Sequence, residues 1–363
     1  MAKNKRCLVC GLPLSGETDG EYHTECAKSL FGAEQAPAFM YSTAELNELA
    51  RKLVLSRVSV PGVQPKLSVH LERTAGRPDR LTLVGLDGNY ILKLPTVSYP
   101  ELPESEHFAM TLARLCGIET AAFGLVRLES GALAYLTRRM DREDGVKHMI
   151  DFCQLTDKQT SRKYYGSHEQ VAKALRHYAT AAGSDVLRFF EVLIFSFITG
   201  NSDMHLKNFS LLREHDGTWR LSPAYDLVPV KTVLPADNDD LALTVNGKNR
   251  KLRAGDFRAA AATMGLTSVQ YSRLTQRMVE AVKKNVDEAI KRSFLSKPFI
   301  KRFRDLTNDT LTRLPEQQRL SLNILREIFT PRPQCGIEER FDLFLTKRGT
   351  EFRWRWFSGV TVV

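Results

Sequence analysis

The chain has 363 residues, 43% hydrophobic and 26% charged, with 52 Lys and Arg against 42 Asp and Glu for a net charge of +10. That length allows two core-bearing units or one two-lobed enzyme, and the composition excludes a disordered or fibrous protein. The basic balance suits a polyanionic partner (nucleic acid, nucleotide phosphates, an RNA-bound protein), but it is spread along the chain, as in basic proteins without one. No apolar run nears the roughly 20 residues of a membrane-spanning helix. The N-terminus carries basic residues without an apolar stretch behind them, so no secretory signal is expected and the cytoplasm is the expected compartment.

The first feature along the chain is a Cys-x-x-Cys pair, Cys7 and Cys10, followed after a polar Gly-rich turn by His23 and Cys26. Thiolates and an imidazole in two close pairs suit tetrahedral zinc. A redox pair is the alternative, although the strand that such a motif normally follows is absent from the pattern. Residues 1–34 are therefore expected as a small independent Cys/His module with a candidate zinc site. Cys116, Cys153 and Cys335 stand alone and are expected as buried or idle thiols.

A short Pro/Ala linker and a helix capped at Ser42 or Thr43 follow. The periodicity then changes to two over 58–60, 67–71, 81–84 and 90–94, with Gly-containing turns between, which predicts an antiparallel sheet. A helix over about 103–116 and strands near 125–128 and 133–138 complete a sheet-rich lobe, residues 35–150. Helical patterns over 168–181, 185–198, 256–264 and 268–286 make residues 151–330 a helical lobe. Strands first and helices after indicate an α+β, two-lobed layout. Residues 331–363 form a tail with no assigned role.

The chemistry concentrates in a few places. Asp203 and Asn208 sit on a loop leaving an apolar helix, and Asp226 lies at an apolar strand end. An Asp followed at this spacing by an Asn matches the catalytic loop of phosphoryl-transfer enzymes, where the Asp takes the acceptor proton and the Asn holds magnesium. A second carboxylate in apolar surroundings is costly unless a cation compensates it, and magnesium suits that part. Lys93 lies inside an apolar strand, where a nucleotide phosphate and a glutamate would satisfy it; Glu106 is the first choice of partner, ahead of Glu104. The turn with Gly62, between strand-like segments, offers backbone N–H groups to phosphates, with Lys66 adding charge. Taken singly these have plainer readings: turn capping for Asp203 and Asn208, snorkelling for Lys93, a structural hydrogen bond for His205, a solvent-facing strand position for Ser59. In this order they point together to phosphoryl transfer.

The segments SVPGVQPKL (59–67), ILK (91–93), ESE (104–106), RRMDR (138–142), DFCQ (151–154), GNSDMHLKNF (200–209) and the Tyr225–Asp226 pair resemble the HipA family, bacterial serine/threonine kinases of toxin–antitoxin systems. The match spans roughly 40–330, and its Asp-x-His-x-x-Asn loop is also similar to that of phosphoinositide kinases. The resemblance implies Asp203 as catalytic base and Asn208 and Asp226 as magnesium ligands. It implies ATP held by Lys93, by the flap residues Gly62, Val63, Gln64 and Lys66, by a hinge at Ile150 and Phe152, and by His205. It implies Ser59 as an autophosphorylation site, where added negative charge would lie beside Lys66 and Arg57. A protein substrate such as an aminoacyl-tRNA synthetase, a helix-turn-helix antitoxin through which DNA is reached, and the absence of a membrane partner are further implications.

Longer HipA proteins carry a sizeable N-terminal subdomain before the kinase flap, where about 55 residues, the cysteine module included, precede it in this sequence. It thus resembles the short members, in some of which that subdomain is a separate small protein. Pro61 stands where those relatives have a second flap serine. The cysteine module lies outside the resemblance. Two other readings stay open at this level: a zinc-containing nucleic-acid-binding regulator with an inactive kinase-like body, and a small-molecule or lipid kinase using the same loop.

Overall fold

Most of the segments with period-two alternation become strands of a single sheet. The computed structural model describes residues 5–14, 20–39, 41–42, 45–46, 48, 64, 66–73, 79–84, 88–143 and 145–314. Ser59, Gly62, Val63, Cys335, the tail over 331–363 and most of the helix expected after Ser42 lie outside those residues. After helix α1 (Thr24–Phe31) come β1 (Lys66–Glu72), β2 (Arg80–Val84) and β3 (Tyr90–Lys93), then α2 (Leu102–Leu115), β4 (Phe123–Arg127) and β5 (Leu133–Arg138). The five strands are antiparallel in the order β2-β1-β3-β5-β4.

Successive strand residues point to opposite faces, and the two faces have different neighbours. Tyr90, Leu92, Ala134, Leu136 and Val126 share one core with Cys7, Val9, Ala27, Leu30 and Phe31 of the N-terminal segment. Tyr135, Phe123 and Leu125 face the other way, into the large core that also contains α2 and the helical lobe. The N-terminal segment is therefore not a free-standing module: it covers the outer face of the sheet. Gly124 shows how closely, since a Cβ there would lie 2.8 Å from Leu30 and 3.0 Å from Val9. The Tyr22 hydroxyl donates to the Leu125 carbonyl at 2.8 Å, and Leu125 N–H donates to the Leu8 carbonyl at 2.8 Å. Arg6 reaches the helical lobe, donating to the Ser293 carbonyl at 2.7 Å.

The helical lobe follows the 3.6-residue patterns and adds a small sheet. Strands β6 (Met149–Asp151), β7 (Ser210–Arg213) and β8 (Trp219–Leu221) pair antiparallel in that order, with α3 (Phe152–Leu155), α4 (His168–Tyr178) and α5 (Ala182–Thr199) between the first two. α6 (Val230–Val233), α7 (Ala254–Thr263), α8 (Ser268–Arg292) and α9 (Lys297–Thr312) follow. Local caps fix several starts: Ser167 accepts from Gln170 N–H, Thr267 and Gln270 form a capping box, and Ser296 accepts from Phe299 N–H. α5 ends at Gly200, whose φ of 69° suits glycine and turns the chain into the loop carrying Asp203. Among the described residues no helix is long and apolar enough to cross a membrane.

His168, at the start of α4, is buried against the rings of Phe189 and Phe209, and both of its ring nitrogens lack a hydrogen-bond partner. Burial holds it neutral, with its pKa pushed down to about 3. The unfolded chain then binds a proton that the folded chain refuses. Stability is full above the ordinary histidine value and falls as the pH drops through it, by at most about 1.4 kcal/mol per pH unit. Thermal denaturation between about pH 7 and pH 5 is expected to show this loss, and His168→Leu to flatten it without lowering the midpoint at neutral pH. An unchanged acid slope in the variant would show that His168 is not its source.

Candidate active site

The register of β1 and β3 sets Lys66 directly opposite Lys93. Like charges placed across a strand pair repel, so this arrangement needs an anion. Asp226 supplies it: one carboxylate oxygen accepts from Lys93 and the other from Lys66 at 3.0 Å. Lys93 also donates to Glu106 of α2 at 2.6 Å, and its ammonium stands over the ring of Tyr135. The side chain of Lys93 is 4% exposed and that of Glu106 1%. Burial opposes the charge on Lys93, but Asp226 and Glu106 keep its pKa above the ordinary lysine value. Burial likewise works to raise Asp226, yet Lys66 and Lys93 outweigh it and hold the carboxyl well below the usual range. Burial pushes Glu106 up. Asp226 has a φ of 58°, an uncommon conformation for a residue with a Cβ, and one associated with functional positions.

A cavity of ≈ 600 Å³ opens beside this group, and Gln64, Lys66, Ser202, Asp203, His205 and Asp226 are among the residues lining it. Asp203 follows α5, and its carboxylate accepts from the Tyr164 hydroxyl at 2.7 Å. Asn208, buried in a 3-10 turn, donates through Nδ2 to the Asp203 carbonyl at 3.0 Å, which leaves its Oδ1 as the available ligand atom. Tyr225 ties the loop to its strand: Ser210 lies 2.6 Å from the hydroxyl, which donates to the Lys207 carbonyl at 2.9 Å. His205 packs edge-on to Tyr164, and burial lowers its pKa to about 4, so it is neutral. Gln64 donates to the Leu94 carbonyl at 2.8 Å, fixing the end of the flap segment to β3.

A second cavity of ≈ 280 Å³ lies where the two sheets meet, lined among others by Ile91, Thr137, Met149, Asp151 and Tyr225. Ile150 and Phe152 are not among its lining residues. Ile150 pairs with Leu211 across β6 and β7, and Phe152 is fully buried in the core. The neighbours Met149 and Asp151 face the opening instead. Asp151 is held there by a capping box with Gln154 and by Lys207, which donates to it at 2.6 Å.

Away from the cleft, ligand atoms of Cys7, Cys10, His23 and Cys26 all lie within 4.8 Å of one another. Tetrahedral zinc with Zn–S near 2.3 Å places sulfurs about 3.8 Å apart, so the spacing fits. His23 Nε2 donates to the Pro13 carbonyl at 3.1 Å, fixing the tautomer that turns Nδ1 towards Cys10 at 3.3 Å. Hydrogen bonds from Cys10 and Cys26 push the Cys7 thiol down, while the same crowding pushes Cys26 up. Three thiols in contact cannot all ionise without a cation between them.

A strand lysine paired to a helix glutamate, an aspartate from the segment beyond the end of β8 rather than the strand end expected, and an acidic loop around one cleft define a protein-kinase-like, two-lobed protein. Residues 58–289 match the model of the HipA-like C-terminal domain, and the chain belongs to that family. HipA of Shewanella oneidensis, solved with HipB and operator DNA, superposes with a TM-score of 0.59 over 71% of this chain and 64% of its own, at 22% identity. A "Putative kinase" of Sinorhizobium fredii is 34% identical over 54% of this chain and 51% of its own length. A "Putative kinase" of Haemophilus influenzae is 26% identical over 74% of this chain and 83% of its length. The serine/threonine-protein kinase toxin HipA of S. oneidensis is 30% identical over 48% and 43%. The chain thus spans about half the length of the Sinorhizobium kinase and of the Shewanella toxin sequence.

Tyr164 carries no signal in the sequence beyond a polar, aromatic loop, and the cross-strand position of Lys66 needs a register that hydrophobic alternation alone does not give. Glu106→Ala leaves Lys93 with the partly exposed Asp226 as its one carboxylate partner among the described residues. Removing one member of a buried pair typically costs about 3 kcal/mol or more, and a urea titration is expected to show a loss at the low end of that range. A variant as stable as the parent would mean that the Lys93–Glu106 contact is energetically idle.

Proposed function

We propose that the chain is an ATP- and magnesium-dependent serine/threonine protein kinase. The observation that carries this is Lys93, shared between Glu106 and Asp226 at the edge of the cavity that also holds Asp203. In this reading Lys93 and Lys66, with the flap segment 62–66, contact the ATP phosphates, and the adenine enters the cavity lined by Met149 and Asp151. Asn208 and Asp226 fit magnesium: one presents an amide oxygen, the other a carboxylate held ionised. Lys66, about half exposed on a flexible stem, can move from Asp226 to a phosphate. Magnesium, when bound, neutralises charge on the transferring phosphate.

Asp203 accepts the proton of the acceptor hydroxyl as that oxygen bonds to the γ-phosphorus. The bond from phosphorus to the β,γ-bridging oxygen breaks, and ADP leaves. Tyr164 supports this assignment, because its hydroxyl already donates to Asp203 where a serine or threonine hydroxyl would. Tyr164 must therefore withdraw before an acceptor enters. The acceptor is a protein, with an aminoacyl-tRNA synthetase and Ser59 of the chain itself as the candidates the resemblance supplies. The HipB partner of the Shewanella relative suggests an antitoxin that reaches DNA on this protein's behalf. The cytoplasm is the setting, and the Cys7, Cys10, His23 and Cys26 cluster holds a structural zinc ion.

Transfer of radiolabelled γ-phosphate to protein, in a lysate supplied with the purified chain and magnesium, tests the reading. Asp203→Asn is expected to lower transfer by about 10²–10⁴-fold while MgATP still binds. Tyr164→Phe removes the competing hydroxyl and is expected to raise the rate several-fold with nucleotide affinity unchanged. Transfer undiminished in Asp203→Asn would refute the assigned base, and a slower Tyr164→Phe enzyme would make the tyrosine a helper rather than an obstacle.

A further inference from the structure

The residues between Cys7 and Cys10 are not a passive loop. The Leu8 carbonyl accepts from Leu125 N–H of β4 at 2.8 Å, and the Val9 carbonyl accepts from His107 Nε2 at 2.8 Å. A carbonyl only accepts, so Nε2 of His107 carries the proton. His107 is fully buried on α2, immediately after Glu106, and its ring packs edge-on against Phe123 of β4 and Phe294 in the loop between α8 and α9. Arg6 stacks over Phe294 and donates to the Lys291 and Ser293 carbonyls. Gly11, at φ 71°, packs so tightly on the Arg292 backbone that no Cβ fits. The Cys-x-x-Cys turn is thus pinned to β4, to α2 and to the helical lobe at once.

Resting on the zinc and kinase readings above, we propose that metal binding at Cys7, Cys10, His23 and Cys26 positions helix α2 through His107 and so sets the Lys93–Glu106 contact in the cleft. The metal fixes the conformation of residues 7–10. That conformation aims the Val9 carbonyl at His107, and the hydrogen bond holds the turn of α2 from which Glu106 reaches Lys93. Without the metal, the turn loses the ligands that define its shape, α2 loses that anchor, and Glu106 drifts from Lys93. His107 is a positioning residue in this scheme, since it touches neither nucleotide nor acceptor. The coupling makes the N-terminal segment a device by which zinc supply governs nucleotide binding.

The test combines metal analysis, amide hydrogen exchange and MgATP affinity on the full chain. The freshly purified protein is expected to hold zinc in a one-to-one ratio. Removing it with dipicolinate is expected to speed exchange over α2 and to weaken MgATP binding about tenfold, within the usual range of coupling energies, while α4 stays protected. His107→Phe should do the same with zinc still bound, and His107→Gln, which retains a donor, should restore the parent behaviour. The proposal is overturned if α2 exchanges alike with and without zinc, if α2 and α4 loosen together, or if His107→Phe leaves α2 and MgATP affinity unchanged. A purified chain without zinc, unaffected by added zinc, overturns the metal reading and the coupling together. A chain that never binds MgATP strikes at the kinase reading alone, since exchange over α2 still decides whether the metal controls the helix.

Discussion

A lysine ammonium buried between two carboxylates is the constraint around which this molecule is arranged. Lys93 cannot sit in an apolar strand without anions, and the buried Glu106 and the partly buried Asp226 both gain from the cation between them. The three come from separate elements: β3, α2 and the segment after β8. Their meeting is therefore possible only when the sheet, the helix packed on its inner face and the small sheet of the helical lobe are assembled together. Folding and site formation are one event in this respect. The left-handed backbone of Asp226 is consistent with a carboxylate that must face two ammonium groups from the segment after β8.

Much of this was legible beforehand because it is written in periodicity. The strand pattern over 67–94, the apolar helix before Gly200 and the Asp203-to-Asn208 loop all depend on local spacing. Glu106 and Glu104 lie about 200° apart on a helix, and of the two it is Glu106 that turns inward to Lys93. The cavity between the two sheets shows what spacing does not settle. Met149 and Asp151 line it, while Ile150 pairs with Leu211 and Phe152 opens α3 in the core, and which strand face meets the opening is a matter of phase. Strands as short as β6 and β8 leave too few alternations to fix that phase. Tyr164 reaches Asp203 from a loop far away in sequence, which no local rule encodes.

The N-terminal segment illustrates a different blind spot. Cysteine spacing announces a ligand set, but it says nothing about what Val9, Leu30 and Phe31 will cover. A short segment cannot bury those side chains within itself. They spread instead over the outer face of the sheet, beside Leu92, Leu136 and Val126. That face would otherwise be an exposed apolar surface, so the segment and the sheet complete a shared core.

Gly124 records how intimate that cover is. The strand carries no side chain where Leu30 and Val9 press against its backbone. An alanine there meets the tips of the Leu30 and Val9 side chains, which must shift to admit it. Cap and strand are thus matched like a lid ground to its own jar. A different head grafted onto this scaffold would meet the same bare stretch of backbone at position 124 and would have to cover it with its own side chains.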